Sequence, residues 1–262
     1  MDAERSHLSP VEKELLFSKW CEKREIKQFL FDLDGTLCPT HPVFVKQVSL
    51  ATKFMAEKIG GVSQETLTKE IEEADNRLFE QIGVAPNKWN INVDEISAKY
   101  SLPAEERQKA KEILAEIYTS PLELFPDAEN ALNFLKKSQM PMGVVTHANR
   151  EWTFRKYNWL NLQRFMDWSD IFVVDENKHK TSESWAEAAK YFGLEPSQCA
   201  MVGDSPRSDI NPAMEAGFKY RFLYENGEIW SIHKQPIDKS TTVINNMEYF
   251  IEIGREMLKF EG

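Results

Sequence analysis

A chain of 262 residues, at roughly 100–200 residues per domain, has room for one large domain or for a core carrying an insert. Its 32 Lys and Arg stand against 42 Asp and Glu, and the net charge of −10 disfavours nucleic acid and anionic lipid as partners. Three cysteines, Cys21, Cys38 and Cys199, with no Cys-x-x-Cys spacing exclude a disulfide framework and a structural zinc site.

The opening residues Met1 to Arg5 show no basic segment followed by an apolar one, and no stretch approaches the ~18 apolar residues of a membrane span. A cytoplasmic protein without membrane association is expected. Residues 8 to 25 read as a helix: Ser9 caps it, Pro10 occupies the first turn, Glu12 completes a capping box, and Val11, Leu15, Leu16 and Trp20 form the apolar side. Lys27 to Asp32 is short, apolar and aromatic, as in a buried strand, and it delivers Asp32 and Asp34 at its carboxyl end.

Four helices are predicted next. Phe44, Val48, Ala51, Met55 and Ile59 keep helical spacing up to Gly60-Gly61, and Ser63 caps a second helix bearing Leu67, Ile71, Ala74 and Leu78. A short third helix is expected around Ile96 and Tyr100, and a fourth carries Ala110, Ile113, Leu114 and Ile117. Prolines 39, 42, 121 and 126 bound this all-helical stretch.

From Asp127 onward helix and strand alternate, the pattern of a parallel sheet covered on both faces. Strands are expected at Met142–Thr146, Ile171–Val174, Cys199–Gly203 and Tyr220–Leu223, with a last one at Thr241–Ile244. Leu132 and Leu135, then Phe154 and Tyr157, then Trp185, Ala189 and Phe192 mark the helices between them. Asn245 with Glu248 is expected to cap a closing helix through Met257.

The fold class is therefore α/β: a Rossmann-like parallel sheet core with helices on both faces and an inserted all-helical domain. The boundaries are an N-terminal helical extension at 1–26, the core at 27–37 and 123–262, and the insert at 38–122.

Ligands of open parallel sheets bind beyond the carboxyl ends of the strands. There the sequence places Asp32 and Asp34, Thr146, Lys178 and Lys180, and Gly203-Asp204 with Asp209 five residues on. Carboxylates, a hydroxyl and an ammonium at one rim suit a phosphate together with a hard divalent cation.

Four motifs occur in order: Asp32-x-Asp34-Gly35-Thr36, the threonine of Val144-Val145-Thr146-His147, a lysine ahead of the Trp185 helix, and Gly203-Asp204-Ser205-Pro206-Arg207-Ser208-Asp209-Ile210. With them the chain resembles the haloacid dehalogenase-like superfamily, in its helical-cap phosphatase branch, which includes phosphoglycolate phosphatases and β-phosphoglucomutases. The likeness spans residues 27 to 224, and the helical insert lies where that family carries its cap.

The resemblance implies a Mg²⁺-dependent phosphohydrolase acting on a small phosphorylated metabolite. Asp32 would be the nucleophile that forms an aspartyl phosphate, and Asp34 the acid and base. Mg²⁺ would be held by the Asp32 carboxylate, the Asp34 carbonyl and the Asp204 carboxylate, with Asp209 supporting them. Thr146 would hydrogen-bond a phosphate oxygen and Lys180 neutralise charge; the family's usual Lys-Pro is here Lys178-His179-Lys180-Thr181, and Lys178 is the competing candidate.

His147 either faces substrate or is an exposed loop imidazole. Lys88 and Trp89 either contact substrate or are, respectively, solvated and packed into the insert. Cys38 reads as a small core thiol and Ser205 as a helix cap. The dehalogenase branch lacks a carboxylate at the position of Asp34, since expelling halide needs no proton. A phosphomutase with the same motifs and a non-catalytic binding relative are the alternatives.

Overall fold

Alternation along β1 (Gln28–Phe31) decides which layers the sheet can hold together. Phe29 and Phe31 enter one apolar cluster and Leu30 another, so both faces of this strand are buried. The computed structural model describes residues 8–176, 178–227 and 235–259. Beside β1 lie β2 (Met142–His147), β3 (Ile171–Val174), β4 (Cys199–Gly203), β5 (Tyr220–Tyr224) and β6 (Thr242–Ile244), all parallel, in the order β3-β2-β1-β4-β5-β6. The expected α/β core is present, and β1 sits at its centre between β2 and β4.

One face is covered by α1 (Pro10–Lys23), α6 (Pro126–Lys137), α7 (Arg150–Trp159) and α10 (Tyr249–Ile253), through Phe17, Trp20, Leu132, Tyr157 and Phe250 among others. The other takes α8 (Ser182–Tyr191) and α9 (Asn211–Glu215), with Trp185 completely buried. No helix among the described residues is long and apolar enough to cross a membrane.

The predicted capping box of α1 forms, but its apolar side is rotated from the expected one. Leu16, Phe17, Trp20 and Cys21 are buried, while Val11 and Leu15 are 72% and 55% exposed. The sheet and the α10 region lie on the Phe17 side: Phe17 meets Phe29 and Phe134 in ring contacts, and the Trp20 indole N–H donates to Glu256 at 3.0 Å. The closing segment also differs from expectation. Asn246 rather than Asn245 accepts the Glu248 N–H, and α10 ends at Ile253, where a 3-10 turn, Gly254–Lys259, takes over.

Between β1 and β2 run α2 (His41–Ile59), α3 (Gln64–Ile82), α4 (Lys88–Tyr100) and α5 (Ala104–Ala115). They pack around their own cluster of Val48, Met55, Leu67, Ile71, Val93 and Leu114, among others. Helix α4 is a full 13 residues and not the short helix expected around Ile96 and Tyr100; it begins at Lys88, so Lys88 and Trp89 lie in its first turn. That turn is held by burial, since Trp89 is 3% exposed.

The end of α3 docks on loops at the rim of the sheet. The Val84 N–H donates to the Glu176 carbonyl at 3.0 Å, Arg207 pairs with Glu80 at 2.6 Å, and Phe79 lies against the rings of His147 and His179. Gly83 has φ 64° and ψ −132°, and a Cβ there would meet the Glu176 carbonyl oxygen at 2.4 Å and that of Lys178 at 2.9 Å. Both neighbours are backbone, which cannot swing aside.

Gly83→Ala is therefore expected to cost about 1–3 kcal/mol and to loosen this docking, read as faster amide exchange at Val84. Phe17→Ala is expected to cost about 3–5 kcal/mol in urea unfolding, because a fully buried ring between α1 and the sheet is removed. Loss of less than about 1 kcal/mol would mean that α1 is dispensable to the core.

Candidate active site

The Asp32 amide continues the ladder of β1 by donating to the Val202 carbonyl at 2.9 Å. Its carboxylate thus emerges between the ends of β2 and β4, which carry Thr146 and Gly203-Asp204. The chain then turns sharply: the Gly35 N–H donates to the Cys38 carbonyl at 2.9 Å and the Leu37 N–H to the Leu33 carbonyl at 2.9 Å. Gly35 has φ 81°, and a Cβ there would lie 2.5 Å from Asp204 Oδ2. Only glycine lets the turn close over that carboxylate.

The Thr36 hydroxyl donates to Asp204 Oδ1 at 3.3 Å, a contact the motif contains but the sequence reading did not single out. Carboxylate oxygens of Asp32, Asp204 and Asp209 all lie within 4.8 Å of one another. Lys180 stands among them, its Nζ 2.7 Å from Asp32 Oδ1 and 2.6 Å from Asp209 Oδ1, with the Trp185 ring 4.7 Å away. Lys178 is exposed, its N–H bonded to the Asp175 carbonyl, so Lys180 is the lysine that reaches the cluster. Asp209 uses its second oxygen to accept the Ser205 N–H at 3.0 Å. Ser205 Oγ itself accepts the Ser208 N–H, which makes it the cap of a π-helical turn, Pro206–Ile210.

Burial pushes the Asp32 carboxyl up to about 7; the Lys180 ammonium opposes this, and the nearby charges of Asp209 and Asp34 reinforce it. Burial, then Asp32 and Asp209, hold Asp204 well above the ordinary carboxylate range. For Lys180, burial acts downward, yet Asp209 and Asp32 outweigh it and the ammonium is held above its usual value. A divalent cation would relieve the repulsion, and a set of hard carboxylate oxygens fits Mg²⁺. The donor set therefore suits the ion that the family resemblance implies.

Thr146 is buried, and its hydroxyl has no hydrogen-bond partner among the described residues although it lines the cavity. His147 is half-buried and set against Phe79 and His179, so it is not an exposed loop imidazole. Burial, with Lys180 and His179 acting the same way, lowers its imidazole to about 4 and keeps it neutral near neutrality. Cys38 is buried and free, as expected, and burial raises its thiol to about 12.

The Asp34 side chain turns to other partners. Oδ1 accepts from the Thr40 hydroxyl at 2.5 Å, and Oδ2 lies 2.5 Å from Lys156 Nζ. Neither partner was found by sequence reasoning. Phe154 and Tyr157 were expected to mark the inward face of this helix, but Phe154 is 47% exposed and the buried face carries Trp152, Thr153 and Lys156 with Tyr157.

Asp32, Asp34, Thr146, His147, Lys180 and Asp204 line a cavity of about 150 Å³, closed from the insert side by Lys88, Asp75, Phe44 and Tyr118. The structure corrects the picture of a solvated Lys88: its Nζ lies 2.8 Å from Asp75 Oδ1, with the two side chains only 8% and 13% exposed. Trp89 packs into the insert's own cluster and lines the adjoining cavity, not this one. Between α2 and α3 the cavity adjoins a second one of about 460 Å³, with which it shares His41, Phe44, Asp75 and Asn76.

Several known proteins are similar to this chain over most of its length. The glyceraldehyde 3-phosphate phosphatase of Pyrococcus furiosus is 27% identical over 232 residues, covering 88% of this chain and 93% of the relative. A phosphoglycolate phosphatase of Shigella boydii is 26% identical over 204 residues, 74% of this chain and 79% of that one. The crystal structure of a haloacid dehalogenase-like family hydrolase from Xanthomonas campestris superposes with a TM-score of 0.72 at 15% identity, covering 89% and 92% of the two chains, and shares the fold. Residues 26–217 match the family described as haloacid dehalogenase-like hydrolase, and to that family of enzymes the chain belongs.

Proposed function

We propose that the protein is a Mg²⁺-dependent phosphohydrolase that cleaves a small phosphomonoester through an aspartyl phosphate on Asp32. The observation that carries this reading is the convergence, on one cavity, of Asp32, a second carboxylate at Asp34, the unpartnered Thr146 hydroxyl and the Lys180 ammonium. The relatives' names, which specify phosphatases, support the same reaction class.

In the first half, an Asp32 oxygen attacks phosphorus in line as the ester P–O bond breaks, and Asp34 gives its proton to the leaving oxygen. In the second, water attacks phosphorus, Asp34 takes the water's proton, and the P–O bond to Asp32 breaks, which returns Asp32 as a carboxylate and Asp34 as the acid. Thr146 donates to a phosphoryl oxygen, and Lys180 offsets the negative charge that Asp32 and phosphate bring together. Mg²⁺ would be held by the Asp32 and Asp204 carboxylates and the Asp34 carbonyl, and would supply positive charge that stabilises the transferring phosphoryl group. Asp209 holds Lys180 and the Ser205 amide in place and is not needed as a ligand.

Residues 38–122 act as a cap in this scheme. It excludes water from the acyl phosphate and presents the Lys88–Asp75 pair to the leaving group. His147 sits at the same wall, whereas Trp89 supports Lys88 from behind, 5.1 Å from its Nζ.

Asp32→Asn is expected to lower turnover of p-nitrophenyl phosphate by more than about 10³-fold, and chelation of divalent cations to abolish it in the unaltered protein. Borohydride quenching during turnover should label Asp32. Activity that survives both Asp32→Asn and chelation would sink the reading. A paired change, Lys88→Met with Asp75→Asn, leaves no buried charge stranded. It is expected to reorder kcat/KM across a panel of esters while inhibition by inorganic phosphate stays within about threefold; an unchanged ranking would remove the pair from the leaving-group site.

A further inference from the structure

One buried charge beside the cavity has no part in the reaction as described. Lys156, on α7, is 0% exposed and shares the inward face of that helix with Trp152, Thr153 and Tyr157. Its Nζ lies 2.5 Å from Asp34 Oδ2 and 3.7 Å from the centre of the Trp152 ring. An ammonium removed from water is costly unless it is paired, and Met would fill the same space without that cost. A charge kept at such a place invites a chemical reason.

Lys156 does not line the cavity but touches two residues that do, Asp34 and Trp152, and of these only Asp34 can exchange a proton with a substrate, so an effect on proton transfer passes through Asp34. Asp34 does line the cavity, and its carboxyl group is gripped from two sides. Oδ2 is held by Lys156 from the core, and Oδ1 by the Thr40 hydroxyl from the segment that leads into α2. The two grips differ chemically. An ammonium only donates, so the oxygen it holds cannot direct a proton toward it, whereas a hydroxyl donates or accepts as its O–H rotates.

Resting on the phosphohydrolase reading, we infer that Lys156 is a positioning residue for leaving-group protonation. By occupying Oδ2 it confines the transferable proton to Oδ1 and fixes the orientation of the Asp34 carboxyl group at the cavity wall. As the ester P–O bond breaks, the proton passes from Oδ1 to the leaving oxygen while Oδ2 stays bonded to Lys156. When water later attacks the aspartyl phosphate, Oδ1 receives the water's proton. Thr40 follows by turning its hydroxyl, and Lys156 need not move. A misplacement of about 1 Å at such a group is enough to cost two orders of magnitude in rate, which is the scale of effect this anchor controls.

Leaving-group dependence separates this role from a merely structural one, because p-nitrophenolate departs without a proton and an alkoxide does not. Lys156→Met is expected to lower kcat/KM for glycerol phosphate by about 10²-fold or more and for p-nitrophenyl phosphate by less than about tenfold. In an Asp34→Asn background the same change should have no further effect on either ester. Lys156→Gln, which keeps a neutral donor of similar reach, should fall between, and it carries the comparison if the Met variant does not give a cooperative thermal unfolding transition. Equal losses on both esters, or losses that multiply with Asp34→Asn, would overturn the inference. Turnover of p-nitrophenyl phosphate by the unaltered protein tests the phosphohydrolase reading itself, and without it both statements fall.

Discussion

The structure turns on the ammonium of Lys180, buried between Asp32 and Asp209 at the rim of the sheet. Three carboxylates brought within 4.8 Å repel one another and lose hydration, so the arrangement needs positive charge at short range. Lys180 supplies one such charge from the segment ahead of α8, and the Trp185 ring beneath it belongs to that helix. Removing one partner of a buried ion pair typically costs about 3–5 kcal/mol, because the other charge is stranded. The turn at Gly35, the Thr36 hydrogen bond to Asp204 and the π-helical turn that brings Asp209 back under Ser205 serve the same crowded spot.

Asp32 and Asp34 are two residues apart, yet their surroundings differ as much as those of separate sites. Asp32 is buried and pushed up to about 7 by loss of hydration, against the pull of Lys180. Asp34 is part-exposed, with one oxygen on a lysine and the other on a hydroxyl. Pairs of carboxylates whose environments diverge in this way divide nucleophilic and proton-transfer roles. The break in the strand after Asp32 makes the divergence possible, since a regular strand would point both side chains to the same face.

The helical insert meets the core at two places with different character. Near α7, Trp152 belongs to the insert's apolar cluster although it comes from the core, and it stacks edge-on with Tyr118. At the other end the contact is polar and tight: Glu80 with Arg207, Val84 with Glu176, and a glycine with no space for a side chain. An apolar joint slides more readily than one keyed by directed hydrogen bonds and a close backbone approach. The cavity lies between these two joints, lined by Trp152 and Tyr118 from the apolar one and by Phe79 and Val84 from the polar one.

Much of this was legible in the residues themselves. Short apolar runs mark the strands, helical spacing with Ser63 and Gly60 marks the insert, and Asp32, Asp34, Thr146, the pair Lys178 and Lys180, Asp204 and Asp209 follow from the rule that strand ends carry the chemistry. Those signals are local or depend on sheet topology alone. What only the tertiary structure decided depends on approach between distant segments. The rotated face of α1, the pairing of Lys88 with Asp75, and the grip of Lys156 and Thr40 on Asp34 all belong here. A sequence window does not contain the partner that makes a buried charge affordable, and Lys156 is 122 residues from Asp34 along the chain.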